Sequence, residues 1–206
     1  MKRFAAFMCL FACVAVAQDR MPPIPADKLT PEQKKAQEML ASTPRGTAGN
    51  AGPFVPLLRS PELMNRLQAV GEYLRFKNSI PQELVEMSIL TVARFWTQQY
   101  EWNAHYPLAV KAGLKTDAAN AIAEGRRPAG LSDDEQMVWD FSNELLNNKN
   151  VSDATYARVA KRFGEQGVVD LAGLSGYYQT LAIVMSVART PAQADSAIPT
   201  LLPYRR

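Results

Sequence analysis

The fold is decided by residues 79–113, which read SIPQELVEMSILTVARFWTQQYEWNAHYPLAVKAG. The first half of this stretch predicts a helix that begins at about Gln82, because its apolar side chains recur at helical spacing. The second half predicts a helix from about Thr97 to Ala112 that ends at Gly113, since glycine commonly follows the last turn of a helix. The apolar positions of the first helix are Leu84, Met87, Leu90 or Thr91, and Phe95.

Helical signals continue on both sides of this pair. Ser132-Asp133-Asp134-Glu135 is a capping box, in which a serine and a glutamate satisfy backbone groups at the start of a helix. No alternating apolar run with a tight Asn-Gly or Asp-Gly turn occurs, so strands are not expected and the class is all-α. The other predicted helices cover about 60–76, 116–124, 132–146, 152–164 and 165–189, the last of which could be two helices.

The first 17 residues are typical of a secretory signal peptide. Met1-Lys2-Arg3 is basic, an apolar run follows, and Ala15-Val16-Ala17 has the small residues that a signal peptidase requires. Cleavage after Ala17 would place the mature protein in the periplasm or outside the cell. The alternative is a lipoprotein processed at Cys13, because Leu10-Phe11-Ala12-Cys13 loosely matches a lipoprotein cleavage box.

Residues 18–56 are rich in proline and glycine and predict an extended arm with one short helix. Thr30-Pro31-Glu32-Gln33 supplies that helix with an N-cap, a proline in the first turn and a capping-box partner. The arm could be disordered, or it could pack on its own domain or on a neighbouring subunit. The helical domain is expected at 57–190, with a C-terminal tail at 191–206.

The segment from Val168 to Ala188 is long and apolar enough to be a candidate transmembrane helix. Asp170, Gln179 and several glycines favour a different interpretation, the buried centre of an all-α domain or an oligomer contact. Stable membrane insertion is therefore not expected.

Composition excludes several functional classes. Lysine and arginine number 23 against 20 acidic residues, and this +3 excess is too small to indicate nucleic acid as a main partner. The two cysteines, Cys9 and Cys13, both lie in the predicted signal peptide, and His105 is the single histidine. A Cys–His zinc site and a disulfide scaffold are thereby excluded, and the mature protein cannot perform thiol chemistry. Neither a nucleophile elbow nor a glycine-rich phosphate loop is present.

The candidate site is the neighbourhood of His105. Gln98, Glu101 and His105 follow each other at three- and four-residue spacing, so they share one helical face. Two antiparallel helices could also bring Glu86 opposite His105. A carboxylate beside an imidazole suits proton transfer near neutral pH, because it orients the ring and stabilises its charged form. One alternative is that His105 and Glu101 form a structural ion pair. Another is a metal site formed by Glu86, Glu101 and His105, although no second histidine supports it.

The same residues carry a resemblance to the carboxymuconolactone decarboxylase family, which includes alkyl hydroperoxidase D. The family pattern is a glutamate followed by eleven residues, then two cysteines with two residues between them, then three residues and a histidine. Glu86, Gln98, Glu101 and His105 reproduce that spacing. The resemblance implies an all-α, alkyl hydroperoxidase D-like bundle of roughly seven to eight helices. It also implies a homo-oligomer, either a trimer or a hexamer.

The chain departs from the family pattern at the two cysteine positions, which are Gln98 and Glu101. Thiol peroxidase activity is therefore not expected, because neither side chain can attack a peroxide or resolve an oxidised thiol. The decarboxylase branch implies cofactor-free proton transfer on a small lactone or carboxylic acid, with His105 as acid/base and Glu86 or Glu101 setting its charge.

The resemblance also suggests roles for neighbouring residues. Arg94 would hold a substrate carboxylate, or else pair structurally with Glu86 or Glu101. The further substrate-binding candidates are Gln98, Tyr100 and Trp102, and of the later residues Tyr177 or Tyr178 could line the pocket or pack in the core. The competing hypothesis is a non-catalytic binding or structural member of the fold, in which Glu101 and His105 form a buried pair.

Overall fold

The computed structural model describes residues 19–46, 51–192 and 195–203. The predicted signal peptide and its cleavage site lie outside these ranges. The described residues form helices and no strands, which confirms the all-α class. The helices are α1 Pro31–Ala41, α2 Phe54–Leu57, α3 Pro61–Phe76, α4 Gln82–Phe95, α5 Gln99–Ala112, α6 Thr116–Ala123, α7 Asp133–Asn148 and α8 Asp153–Ala188.

Helix α4 is the centre of the bundle. Every residue from Leu84 to Arg94 is buried, and the helix packs against α5, α6, α7 and α8. A helix that is covered on all sides needs few exposed polar positions, which explains the nearly continuous apolar run in its sequence. The polar side chains that α4 does carry, including Glu86, are consequently held in the interior.

Helix α8 bends at Gly164, where the backbone has φ +71°. This left-handed conformation is accessible to glycine without steric cost, so the helix is divided into segments at 153–163 and 165–188. Among the described residues, α8 is the one helix whose length and hydropathy would suit a membrane span. Half of its most apolar window is buried inside the protein, as in the core helix of a helical bundle.

Helix starts agree with the sequence at some positions and differ at others. Thr30 and Ser132 both form complete capping boxes. Ser60, in contrast, precedes α3 without a capping hydrogen bond from its side chain. Helix α5, expected from about Thr97, begins at Gln99 with Gln98 as its N-cap. Thr97 takes a left-handed backbone with φ +51° that turns the chain between α4 and α5.

The described part of the arm packs on its own domain. Ala36 and Leu40 of α1 are buried in the same apolar cluster as Phe54 of α2 and Met64 of α3. The arm is fixed further along by Arg59, whose guanidinium donates to the Pro22 carbonyl at 2.7 Å. Of the alternatives open from the sequence, packing on the parent domain is the one that the structure displays. The consequence is that residues of the arm can reach the interior of the bundle.

Candidate functional site

A cavity of about 240 Å³ lies where the arm, α3, α5 and α8 meet. Its wall combines apolar residues with an acid, a histidine and two arginines. His105 and Glu101, which share a face of α5, are both part of the wall. The lining residues are Arg45, Ala51, Pro53, Phe54, Arg75, Tyr100, Glu101, Ala104, His105, Leu108, Tyr178, Leu181 and Met185.

His105 forms a short hydrogen bond with Glu86, from Nδ1 of the ring to Oε2 of the carboxylate at 2.6 Å. Both side chains are buried, with 8% and 2% of their surfaces exposed. The other carboxylate oxygen, Oε1, accepts a hydrogen bond from Nε2 of Gln82 at 2.8 Å. Glu86 is thus held from two sides, and it fixes the orientation of the imidazole ring.

The charge states of this pair follow from burial and hydrogen bonding. Burial lowers the pKa of His105 and outweighs the hydrogen bond from Glu86, which acts to raise it. For Glu86, burial acts to raise the pKa, but the hydrogen bond and charge of His105 and the charge of Arg75 bring it below its usual value. At neutral pH a neutral imidazole therefore faces an ionised carboxylate. Nδ1 carries the proton because Glu86 accepts, which leaves Nε2 with its lone pair for a molecule in the cavity.

Glu101 is a buried carboxyl group without a hydrogen-bond partner among the described residues. Both of its side-chain oxygens are enclosed, and 3% of the residue is exposed. Burial raises the pKa of Glu101 well above its usual value, since an isolated carboxylate is poorly solvated in an apolar interior. Burial therefore favours the protonated, uncharged form of this acid. Its position one turn before His105 puts a proton donor and a proton acceptor in one cavity.

Two tyrosines complete this end of the wall. The ring of Tyr178 meets that of His105 edge to face, with centroids 5.1 Å apart. Burial raises the pKa of Tyr178, so its enclosed hydroxyl stays protonated, and it has no partner among the described residues. Tyr100 packs over the backbone of Gly52, where any side chain would overlap the aromatic ring.

Unsatisfied buried polar atoms are concentrated at this cavity. They include both Glu101 oxygens, the Tyr178 hydroxyl, and Nε of Arg45 and of Arg75. A buried polar atom without a hydrogen bond costs about 1–3 kcal/mol, so a group of them around one cavity needs an explanation. Their concentration here marks this cavity as the candidate functional site.

The structure separates several predicted binding residues from the cavity. Gln98 caps α5 and donates from Nε2 to Ser186 Oγ at 3.2 Å, so it connects α5 to α8. Trp102 is fully buried in a second apolar cluster, where it packs on Tyr106. Arg94 donates to the Leu202 carbonyl at 2.9 Å and so holds the C-terminal tail, and it is not among the residues that line the cavity.

Sequence reasoning missed the two arginines of the site. Arg45 follows α1 in the arm, and Arg75 lies in the last turn of α3. Neither belongs to a motif, and basic residues are common near the ends of helices. Their convergence depends on the way that the arm and α3 pack against α8.

A larger and more open groove of about 790 Å³ lies at the far ends of α4 and α7, beside α8. It contains Lys149 as its one charged residue and no acid or histidine among the described lining residues. It therefore offers no acid/base pair. The described part of the chain also contains no group of three or more His, Cys, Asp or Glu side chains arranged to hold a metal ion.

Comparison with known proteins agrees with this description. The described residues are all-α, and residues 61–141 match the sequence profile of the carboxymuconolactone decarboxylase family. That stretch includes Glu86, Glu101 and His105, and over it the predicted resemblance to this family is confirmed. No curated protein and no solved structure was found to match the chain.

Proposed function

We propose that this protein catalyses cofactor-free proton transfer, as a decarboxylase or an isomerase, on a small lactone or carboxylic acid. The observation that carries the proposal is the buried pair of His105 and Glu86, joined at 2.6 Å, whose histidine lines a cavity together with Glu101, an acid with a raised pKa. A general base and a general acid with different pKa values are what acid/base catalysis requires.

In this mechanism Nε2 of His105 takes a proton from the carbon next to a carbonyl group. The developing imidazolium is stabilised by Glu86, and the carbonyl oxygen, which gains negative charge, accepts a hydrogen bond from the protonated Glu101. Return of the proton to a different carbon gives an isomer. If the substrate carries a carboxylate β to the carbonyl, the carbon–carbon bond breaks, carbon dioxide leaves, and the electron pair forms an enolate that is then protonated.

The competing hypothesis of a purely structural site is less well supported. It required a buried pair between Glu101 and His105, but His105 pairs with Glu86 and Glu101 has no partner among the described residues. Unpaired buried polar groups weaken a fold, so their presence supports a role in binding or chemistry. Thiol peroxidase activity is not proposed, because Gln98 and Glu101 stand at the cysteine positions.

The test is proton exchange in deuterated buffer, followed by NMR with carboxymuconolactone and a panel of aromatic-derived lactones and keto acids. Deuterium uptake or carbon dioxide release is expected, and Glu101→Gln and His105→Gln should each slow it about 100-fold or more. Glu38→Gln on the exposed face of α1 is the matched control and should retain full activity. A folded wild-type protein that leaves the whole panel unchanged would overturn the proposal.

We further propose that the protein is exported and acts in the periplasm or outside the cell. The basic start, the apolar run and Ala15-Val16-Ala17 support this. Expression in a bacterial host should give a periplasmic product whose mass corresponds to a chain beginning at Gln18. A lipid-modified product beginning at Cys13 would support the alternative, and an uncleaved cytoplasmic product would contradict export.

A homo-oligomer, trimeric or hexameric, is also proposed. Its support, besides the family resemblance, is an apolar face of α8 on which Val169, Ile183 and Val187 are 67%, 44% and 54% exposed. Light scattering of the wild type should give the mass of the assembly, and Ile183→Glu should dissociate it. A monomeric wild type would refute this part of the proposal.

A further inference from the structure

We propose that Arg45 and Arg75 together bind the carboxylate of a small monoanionic substrate, so that the N-terminal arm supplies part of the binding site. This inference deepens the proposed function and rests on it for the reaction, since it defines the class of acid that reaches His105. Binding itself can be measured without turnover.

The two guanidinium groups occupy one region of the cavity wall. Their Cζ atoms lie 5.8 Å and 4.9 Å from the centroid of the same aromatic ring, that of Phe76. Because both cations also line the same cavity, an anion bound there would be attracted by both. A carboxylate, which accepts hydrogen bonds in the plane of its two oxygens, matches the donor geometry of guanidinium groups.

Among the described residues, no carboxylate forms an ion pair with Arg45. Its one hydrogen bond to a side chain is a long contact from Nη2 to the Tyr177 hydroxyl at 3.4 Å, and its Nε is buried without a partner. Glu72 is near enough to be influenced by its charge, but that carboxylate forms an ion pair with Lys77 at 2.6 Å. Within the described structure the positive charge of the Arg45 guanidinium is therefore not compensated by an ion pair.

Arg75 has a carboxylate nearby but makes no hydrogen bond to it. Its Nε lies 3.8 Å from Oε1 of Glu86, beyond hydrogen-bonding distance. Oε1 already accepts from Gln82, and Oε2 is bonded to His105. Glu86 thus balances part of the charge of Arg75 at a distance and leaves its donors for a ligand.

The charge balance of the cavity selects a single negative charge. Two guanidinium groups line the cavity, and Glu86 lies near that of Arg75. Burial favours the uncharged forms of Glu101 and His105, because it raises the pKa of the first and lowers that of the second. One positive charge remains uncompensated, so a monoanion would make the occupied cavity neutral. A second carboxylate on the ligand would be enclosed without a counter-charge, which is strongly unfavourable in a buried site.

The rest of the wall indicates the body of the ligand. Phe54, Leu181 and Met185 are apolar, and the volume of about 240 Å³ is below the ~300–1,000 Å³ that is typical of sites for drug-sized molecules. The substrate class is therefore a small monocarboxylate with a compact apolar or lactone body. Its acid group would lie at the arginines and its reacting carbon near His105.

The arm reaches the cavity because two features of the sequence permit it. The turn after α1 is fixed by Thr43, whose hydroxyl donates to the Leu40 carbonyl at 2.7 Å and accepts from the Arg45 amide at 3.3 Å. Gly71 of α3 then leaves room, since a Cβ there would lie 2.6 Å from Nη2 of Arg45 and 2.2 Å from the Tyr177 hydroxyl. Gly71→Ala therefore displaces Arg45 without changing any charge.

Calorimetry on the mature chain, with benzoate, benzamide and isophthalate as probes, tests the inference. Benzoate should bind at least about tenfold more tightly than its neutral isostere benzamide and more tightly than the dianion isophthalate. Arg45→Met and Arg75→Met should each weaken benzoate binding about tenfold or more. Arg66→Met, which removes an exposed arginine from the same α3, should not change it.

Gly71→Ala provides a second route to the same result, because it should weaken benzoate binding while both arginines are retained. Equal binding of benzoate and benzamide, preference for isophthalate, or arginine variants that behave like Arg66→Met would overturn the inference. Failure of the proposed chemistry is distinguishable, since arginine-dependent benzoate binding without proton exchange would leave the anion site established. Proton exchange that does not depend on either arginine would support the proposed chemistry and overturn the anion site.

Discussion

Nδ1 of His105 and Oε2 of Glu86 lie 2.6 Å apart, although 19 positions separate the two residues in the chain. The contact joins α5 to α4 in the interior of the bundle and places an ionised carboxylate against a neutral imidazole. Because the carboxylate is also held by Gln82, the ring has one favoured orientation. A base that is oriented in this way needs little rearrangement to accept a proton.

Glu86→Gln should lower the rate of proton exchange about 100-fold while the protein remains folded. The glutamine can still accept a hydrogen bond from Nδ1 of His105, but it has no charge to stabilise the imidazolium that forms in the reaction. NMR titration should show the pKa of His105 falling further below that of the wild type. An unchanged exchange rate would show that Glu86 has no part in the chemistry.

Glu101→Gln should stabilise the protein above pH 4.5, because the folded state raises the pKa of Glu101 above that value. Between pH 4.5 and the folded pKa, the unfolded chain releases this proton and the native protein does not, so wild-type stability falls as pH rises. The difference in unfolding free energy between Glu101→Gln and the wild type should increase by about 1.4 kcal/mol for each pH unit in this window. Denaturant unfolding at several pH values measures it.

The control for this measurement is Glu38→Gln, on an exposed position of α1, for which no such pH-dependent gain is expected. A Glu101→Gln protein with the same stability profile as the wild type would mean that the Glu101 carboxyl ionises normally. The acid role assigned to Glu101 would then be untenable.

Arg94→Met should release the C-terminal tail without affecting binding of anions in the cavity. Arg94 donates to the Leu202 carbonyl, and Gln99 accepts from the Leu201 amide at 2.7 Å, so the two side chains hold the same segment. Limited proteolysis should cut the tail faster in Arg94→Met and in Gln99→Ala than in the wild type. Weaker benzoate binding in Arg94→Met would restore its expected role as a carboxylate ligand.

Ser132→Ala should reduce the free energy of unfolding by about 1 kcal/mol, because it removes the side-chain oxygen that accepts from the Glu135 amide at the start of α7. Ser60→Ala is the matched comparison, since Ser60 precedes α3 without a capping hydrogen bond. Its effect should stay within about 0.5 kcal/mol. Chemical denaturation of both variants measures the difference, and equal losses would contradict the capping assignment.

The sequence by itself determined the helical architecture and the chemical character of the site. Apolar spacing and capping boxes such as the one at Ser132 act within a few residues, so they define helices before any tertiary contact forms. The same locality put Glu101 and His105 on one face of α5, and the spacing to Glu86 carried the family resemblance.

Only the tertiary structure decided which side chains meet. Sequence spacing allowed either Glu86 or Glu101 as the partner of His105, and packing of α4 against α5 gave that place to Glu86 and left Glu101 enclosed. Arg94 was turned toward the tail, while Arg45 entered the cavity from the arm. Such pairings depend on how separate segments fit together and bury charge, and neither helical periodicity nor spacing encodes that fit.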